Sequence, residues 1–284
     1  MVPDAETPTS RRRFLTLGLG SAAALVAGYT VVVERYLFQV NRYEIPLARL
    51  PRAFDGFTIA QITDLHYGFL MPMGVVRHVL SRVGGLGVDM IVGTGDYVHE
   101  RDSTSQIDAV WPELARLRAP FGVWSVLGNH DHWADTTRSL EWLAETGQGV
   151  RHRSVAIEKG GAQIWIGGSG DYYEDVLGID EAFREAPPDE CKVLLSHNPD
   201  AVDTPYRTDI DLVMSGHTHG GQVVVPFLGA PVLPVRNKRY SSGLVTTPGT
   251  RVFISRGIGW ALLPVRFNCP PEIAVLQLRC ARSV

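Results

Sequence analysis

Lysine is scarce: Lys159, Lys192 and Lys238 are the only three in 284 residues, so arginine carries nearly all the positive charge. Lysine and arginine total 27 against 30 acidic residues, a formal net charge of −3. Without a basic excess the chain lacks the electrostatic footprint of a nucleic-acid binder. Cysteine is equally sparse. Cys191, Cys269 and Cys280 form no C-x-x-C pair, which argues against a disulfide scaffold or a structural zinc site and leaves buried thiols as the expectation. No internal repeat or low-complexity tract is present, and no linker divides the chain after its N-terminal segment. The remainder, 45% hydrophobic and 20% charged, is ordinary globular composition. The length suffices for a large buried core.

The N-terminus departs from that composition. A basic cluster, Arg11 to Arg13, precedes an uncharged run from Phe14 to Val33. The pattern Ser10-Arg11-Arg12-x-Phe14-Leu15 resembles the twin-arginine export signal, an address read by a receptor. The run is long for a signal-peptide core and long enough to cross a bilayer. Ala22-Ala23-Ala24 offers a small-residue cleavage site, early in the run. Cleavage and retention as a membrane anchor both stand, whereas the flanking arginines argue against a buried core helix. The expected organisation is residues 1–37 as signal or anchor and 38–284 as one folded domain. That places the domain outside the cytoplasm, at the bacterial cell membrane, with the twin-arginine machinery as an export partner.

Beyond residue 38, short apolar and β-branched runs predict strands at 57–63, 89–94, 121–127, 162–168, 192–196, 211–215, 251–255 and 272–278. Helical patterns lie between several of them, at 73–83, 105–117 and 134–145, the last opened by Asp131 as an N-cap. Alternation of this kind predicts an α/β layered fold. The later part is richer in strands and turns, with Gly and Pro punctuation around 226–234 and 243–249.

Five predicted strands end in polar residues of one chemical kind. "QITDLHYG" places Asp64 and His66 after the first strand, and "GTGDYVH" places Asp96 after the second. "LGNHDHW" places Asn129 and His130 after the third, "LLSHNPD" places His197, and "MSGHTHGG" places His217 and His219. In layered α/β folds the carboxyl ends of the strands gather on one edge, where ligands bind. Asp, His and Asn suit first-row transition metals. Asp64, His66, Asp96, Asn129, His197, His217 and His219 are too many for one tetrahedral ion and enough for two that share a carboxylate. Such two-metal sites clamp the attacking and leaving oxygens of a displacement at phosphorus.

The ordered blocks D-x-H, G-D, G-N-H-D, H and G-H-T-H, spanning Phe57 to Gly221, resemble the calcineurin-like metallophosphoesterase superfamily. The tail "SRGIGWALLPVRFNCPPEIAVLQL" is similar to a subgroup of exported or membrane-anchored bacterial phosphodiesterases. The resemblance implies a four-layer αββα sandwich of two mixed sheets. It implies Asp64, His66 and His219 on one ion, Asn129, His197 and His217 on the other, and Asp96 as the bridge. His130 is then the acid–base residue, and metal-bound hydroxide the nucleophile. The ions implied are Mn, Fe, Zn or Co, since such ligands accept any of them.

Around this set, His99, His132 and Tyr67 neighbour the motifs and are candidates for substrate contact. In purple acid phosphatases the residue three after the bridging Asp is an iron-binding tyrosine; here that position is His99, and Tyr97 follows Asp96 directly. Asp131 is read either as a helix cap or as a brace for His130. His78 and His152 have no motif context. The expected reaction is hydrolysis of a phosphodiester or diphosphate, with a lipid- or envelope-linked substrate suggested by the N-terminus and by the apolar loops 226–234 and 259–264. Arg236, Lys238 and Arg239 could meet phosphate groups. Phosphomonoester hydrolysis at the same metals is the alternative, and a silent metal-binding envelope protein the remote one.

Overall fold

The computed structural model describes residues 11–68 and 70–281. Ser10, the first residue of the twin-arginine pattern, lies outside them. Helix α1 (Arg11–Gly28) continues through a π turn, Tyr29–Val33, and a 3₁₀ turn, Glu34–Tyr36. Arg13–Tyr36 is long and apolar enough to cross a membrane by length and composition, with mean hydropathy 1.7 and little burial.

Two mixed sheets follow. The first has the order β1 (Gln39–Leu47), β11 (Glu272–Cys280), β2 (Thr58–Ile62), β3 (Met90–Thr94) and β4 (Val123–Val126). Strands β2, β3 and β4 run parallel, β11 is antiparallel to β2, and β1 is parallel to β11. The second sheet is ordered β5 (Ser154–Lys159), β6 (Ala162–Gly168), β7 (Lys192–Leu195), β8 (Leu212–Ser215), β10 (Arg251–Ile254) and β9 (Gly243–Thr246). Its β6, β7, β8 and β10 are parallel, with antiparallel strands at both edges.

Side chains alternate across each strand, and the layers follow from that alternation. In β3, Met90 and Val92 join the core between the sheets, whereas Ile91 faces the helices. Helices α2 (Met73–Gly84), α3 (Thr104–Leu114) and α4 (Asn129–Thr146) cover the first sheet through Val76 and Val79, Ile107, Val110 and Trp111, and Ala134 and Leu143 respectively. On the far side, Leu194, Val213 and Val252 pack against Ile179 and Phe183. The expected four-layer αββα order is present, although the fourth layer is thin: one helical turn, α5 (Ile179–Ala182), and loops. The cysteines are free; Cys191 and Cys269 are buried and Cys280 is partly exposed.

Strands β1, β5 and β9 were not among the predicted strands, and α4 starts five residues earlier than its pattern suggested. Gly128, not Asp131, is its N-cap. The helix breaks at Asp135 (φ −173°, ψ 107°), whose carboxylate accepts from Arg138 N at 3.0 Å. Asp135 therefore caps the part whose periodicity the sequence displayed. Asp131 sits inside the first turn and has another task, described below.

Candidate metal centre

All the motif residues lie just beyond the carboxyl ends of parallel strands, on loops or, for Asn129 and His130, in the first turn of α4. Asp64 and His66 follow β2, Asp96 follows β3, Asn129 follows β4, His197 follows β7, and His217 and His219 follow β8. The loops extend the pairing of the strands: Asp64 N donates to Gly95 O, His66 N to Asp96 O, and Gly216 N to His197 O, at 2.9–3.0 Å. Five of the seven residues have left-handed backbone, with φ between 47° and 68°: Asp64, His66, Asp96, His217 and His219. Bulky residues rarely adopt this region, and it persists only where the surroundings over-determine it. Two glycines show how close the packing is. A Cβ on Gly216 would stand 2.3 Å from Asp64 Oδ2, and one on Gly128 2.3 Å from Asp96 Oδ1.

Two buried groups result, each able to hold an ion: Asp64, His66 and His219, and Asp96, His197 and His217. In the first, His66 Nε2 and His219 Nε2 are 3.0 Å apart, and His219 Nε2 is 3.3 Å from Asp64 Oδ1. In the second, His217 Nδ1 lies 3.1 Å from His197 Nε2. Asp96 Oδ2 stands between the groups, 3.5 Å from His66 Nε2 and 3.2 Å from His197 Nε2. The outer ring nitrogens fix the tautomers. His197 Nδ1–H donates to Thr94 O at 2.7 Å, and His217 Nε2–H donates to Pro234 O at 2.9 Å. In the neutral rings these bonds leave the inner nitrogens of His197 and His217 as the ones free to face an ion. Asn129 Oδ1 is buried beside them without a donor. Lone pairs facing lone pairs, with an unmatched amide oxygen and two carboxylates, fit a pair of cations, and the oxygen and imidazole donors suit transition metals.

Electrostatics agree with this. Burial, then the charge on His197, drives the His217 pKa down to about 3. Burial followed by His130 holds His66 well below its ordinary value, and burial followed by Arg266 does the same to His219. Burial also raises Asp64. His197 runs the other way: burial opposes its charge, but Asp96 outweighs it and raises the imidazole. Asp96 is correspondingly lowered against its own burial by His197 and His130. In the metal-free protein the centre thus concentrates its charge in one buried Asp96–His197 pair.

His130 lies half-buried beside the groups. Its backbone N donates to Asp96 Oδ1 at 2.9 Å, and its Nδ1–H to His99 O at 2.7 Å. The ring stands edge-on to His66 at 4.5 Å and against Trp133 at 4.6 Å. His99 is drawn in rather than left on an open loop. Its Nδ1 is 3.2 Å from His66 Nδ1, and burial, with His130, lowers it to about 4. Tyr67 pairs through its backbone, donating to Tyr97 O and accepting from His99 N. His132 is buried against the Thr136 hydroxyl and joins none of the metal-competent groups among the described residues. His78 is exposed, and His152 bonds Val176 O at 2.5 Å.

Three features had little or no sequence signal. Asp131 accepts from the backbone N of Asp96, Tyr97 and Gly128 at 2.8–2.9 Å, locking together the loops after β3 and β4. Arg266, wholly buried, donates to the carbonyls of His219, Arg256, Gly259 and Cys269 and lies 3.4 Å from His219 Nδ1. A cleft of about 650 Å³ is lined by Asn129 and His217 together with Trp133, Tyr173, Glu174, Leu233, Pro234, Val235 and Arg236. The GNHD motif marked Asp131 as the neighbour of His130, and part of the cleft wall, Leu233, Pro234 and Arg236, belongs to the apolar loop and the phosphate contacts expected from the sequence; Arg266 had no mark.

Comparison with known proteins gives a consistent assignment. A calcineurin-like phosphoesterase family profile matches residues 57–221. The chain is 32% identical to the metallophosphoesterase YkuE of Bacillus subtilis, covering 95% of this chain and 98% of that one. It is 30% identical to the phosphodiesterase YaeI of Escherichia coli, over 95% and 99% of the two chains. It is 26% identical to the UDP-2,3-diacylglucosamine pyrophosphatase LpxG of Chlamydia muridarum, over 81% and 86%. The chain belongs to the calcineurin-like phosphoesterases and is, with them, a metal-dependent phosphoester hydrolase.

Proposed function

We propose that the protein is an exported, membrane-anchored phosphodiesterase or pyrophosphohydrolase that acts on a lipid- or envelope-linked substrate through two transition-metal ions. The observation that carries this reading is the position of Asp96 Oδ2 between His66 Nε2 and His197 Nε2. Asp64, His66 and His219 would hold one ion, Asn129, His197 and His217 the other, and Asp96 would serve both. Bound ions supply Lewis acidity and a water whose pKa falls toward about 7.

The chain's own residues do the rest. His130 is fixed by two hydrogen bonds, from its Nδ1–H to His99 O and from its backbone N to Asp96 Oδ1. Nε2 is left to deliver a proton to the departing oxygen. Asp131 holds the Asp96 loop and the His130 turn in register, which keeps that delivery in line. Trp133 and Tyr173 give the cleft aromatic walls for the non-reacting part of the substrate, and Arg236 offers a cation for a second phosphoryl group. Residues 1–37 act as the twin-arginine signal and anchor, and 38–284 form the catalytic domain. The long apolar N-terminal helix and the substrate named for the Chlamydia relative support the membrane and lipid parts of the reading.

The test uses the full chain, metal-stripped and reloaded separately with Mn²⁺, Fe²⁺, Zn²⁺ or Co²⁺. Hydrolysis of bis-p-nitrophenyl phosphate is compared with p-nitrophenyl phosphate, then with UDP-2,3-diacylglucosamine. Metal-dependent cleavage of the diester and the lipid-linked diphosphate is the expected result. Activity confined to the monoester would move the assignment to a phosphomonoesterase.

A further inference from the structure

Two leucines project from the domain where an apolar side chain gains nothing from its own fold. Leu262 is 83% exposed and Leu263 63%, and Leu262 lies at φ 51°, a region bulky residues avoid. The base of their turn is firmly held. Gln222 accepts from Ala261 N at 2.5 Å and donates to Leu263 O at 3.0 Å. A fixed turn that strains its backbone to present two leucines outward points to an apolar partner.

The neighbouring helix says which partner. Trp260 packs edge-on against Tyr36 at 5.7 Å and under the Arg35 guanidinium at 4.7 Å. Arg35 Nη1 donates to Pro264 O at 3.3 Å, and Arg266 N donates to Thr30 O at 3.2 Å. Residues 260–266 therefore climb along the apolar helix from the level of Tyr36 to that of Thr30, roughly 9 Å at about 1.5 Å per residue. The leucines lie within that climb. A helix that spans a bilayer carries this loop into the interface with it, at the depth of about 5–10 Å that interfacial apolar groups reach.

We propose that the Leu262–Leu263 turn is a wedge that inserts into the leaflet from which the N-terminal helix emerges at Tyr36 and seats the metal centre against the lipid headgroups. The inference rests on the anchored reading above. The link to the centre is short, because Arg266, at the end of the climb, donates to His219 O at 3.1 Å. The same combination of left-handed backbone and exposure recurs at Phe227 (φ 67°, fully exposed) and Leu70 (φ 57°, 57% exposed). These residues lie on the loops that follow His219 and His66, so apolar tips rise from the ligand-bearing segments themselves.

The experiment places nitroxide labels on single introduced cysteines in the full chain, in a Cys280→Ser background, reconstituted into phosphatidylcholine–phosphatidylglycerol vesicles. Leu262→Cys reports the wedge, Leu25→Cys the helix, and Val176→Cys an exposed position of the domain. Collision with oxygen, against collision with a water-soluble nickel chelate, measures depth, and thermal melting verifies that each labelled chain is folded. The expected result is Leu25→Cys deep, Leu262→Cys at the interface with at least several-fold less nickel access than Val176→Cys, and Val176→Cys in water. If Leu25→Cys is deep and Leu262→Cys matches Val176→Cys, the wedge is wrong and the anchor stands. If Leu25→Cys is also in water, the anchored reading fails and takes the wedge with it.

Discussion

The two ends of the second sheet bury polar groups with opposite outcomes. At the amino ends of β7 and β8 the groups are matched. Asp211 accepts from Arg49 Nε and Nη2 at 2.9 and 2.8 Å and from Lys192 N at 2.8 Å. Lys192 Nζ donates to the carbonyls of Pro187, Pro188 and Glu190. At the carboxyl ends, where residues following β2 and β4 of the first sheet join them, imidazole nitrogens face one another at 3.0–3.1 Å, and Asn129 Oδ1 meets no donor. Burial alone does not distinguish a structural polar cluster from a functional one. The balance of donors and acceptors does, because a low-dielectric interior penalises every unmatched group. The amino end is complete within the chain, and the carboxyl end is completed by cations.

Breaking the shared carboxylate gives the sharpest test of that contrast. Asp96→Asn is expected to lose both ions and on the order of 10³-fold or more in diester turnover, read by elemental analysis beside the bis-p-nitrophenyl phosphate assay. A variant that retained two ions and its rate would remove Asp96 from the bridge. His130→Ala should keep both ions while kcat falls by about 10²- to 10⁴-fold; loss of metal instead would make His130 a ligand.

Stability changes should divide the two ends in the same way. Saturating the stripped protein with a suitable ion at about a hundredfold excess over Kd should stabilise it by about 2.7 kcal/mol for each site filled, seen as a rise in Tm. Asp211→Ala, at the other end, should cost about 2–3 kcal/mol and leave diester turnover and metal content unchanged. A metal-insensitive Tm, or an Asp211→Ala protein that loses its ions, would erase the distinction.

The smallest effect concerns a matched group at the carboxyl edge itself, where β11 begins beside the end of β2. Glu272 accepts from Asn41, Tyr43 and Arg256; burial would raise its pKa, but the Arg256 charge and these bonds hold it down. A depressed carboxyl contributes stability above its unfolded pKa and loses it as pH falls through the ordinary glutamate range toward the folded value. Urea midpoints should therefore slope downward at acid pH, less steeply in Glu272→Gln. Equal slopes in both proteins would show that the pairing contributes nothing.

The candidate ligand set was legible because it is local: D-x-H, GNHD and H-x-H each stand directly after an apolar run. The central strands were legible for a related reason, since parallel strands buried on both faces read as continuous apolar segments. Strand β1 was not, because its burial alternates at an edge, it contains Pro46, and its partner β11 lies more than 200 residues away. Strand β5 was missed because its signal is a two-glycine turn, Gly160-Gly161, joining it to β6. Arg266 lacked a signal for a deeper reason: its partners are carbonyls, which every residue has. Asp131 and Asp135 look alike in sequence, and only the chain's direction at Asp135 decides which one caps a helix.

The left-handed backbone of the candidate ligands also sets an order of events. An unfolded chain seldom holds Asp64, His66, Asp96, His217 and His219 in those conformations, and His66 and His219 are 153 residues apart. No short segment carries a half-formed centre, so metal loading has to follow folding. If the twin-arginine route proposed above carries the chain already folded, the compartment in which it folds chooses its ions, and the compartment in which it works inherits them. Metal content of the protein taken from cells grown with only external manganese or zinc varied would test this: a composition that follows the medium rather than the cytoplasm would mean that the ions enter after export.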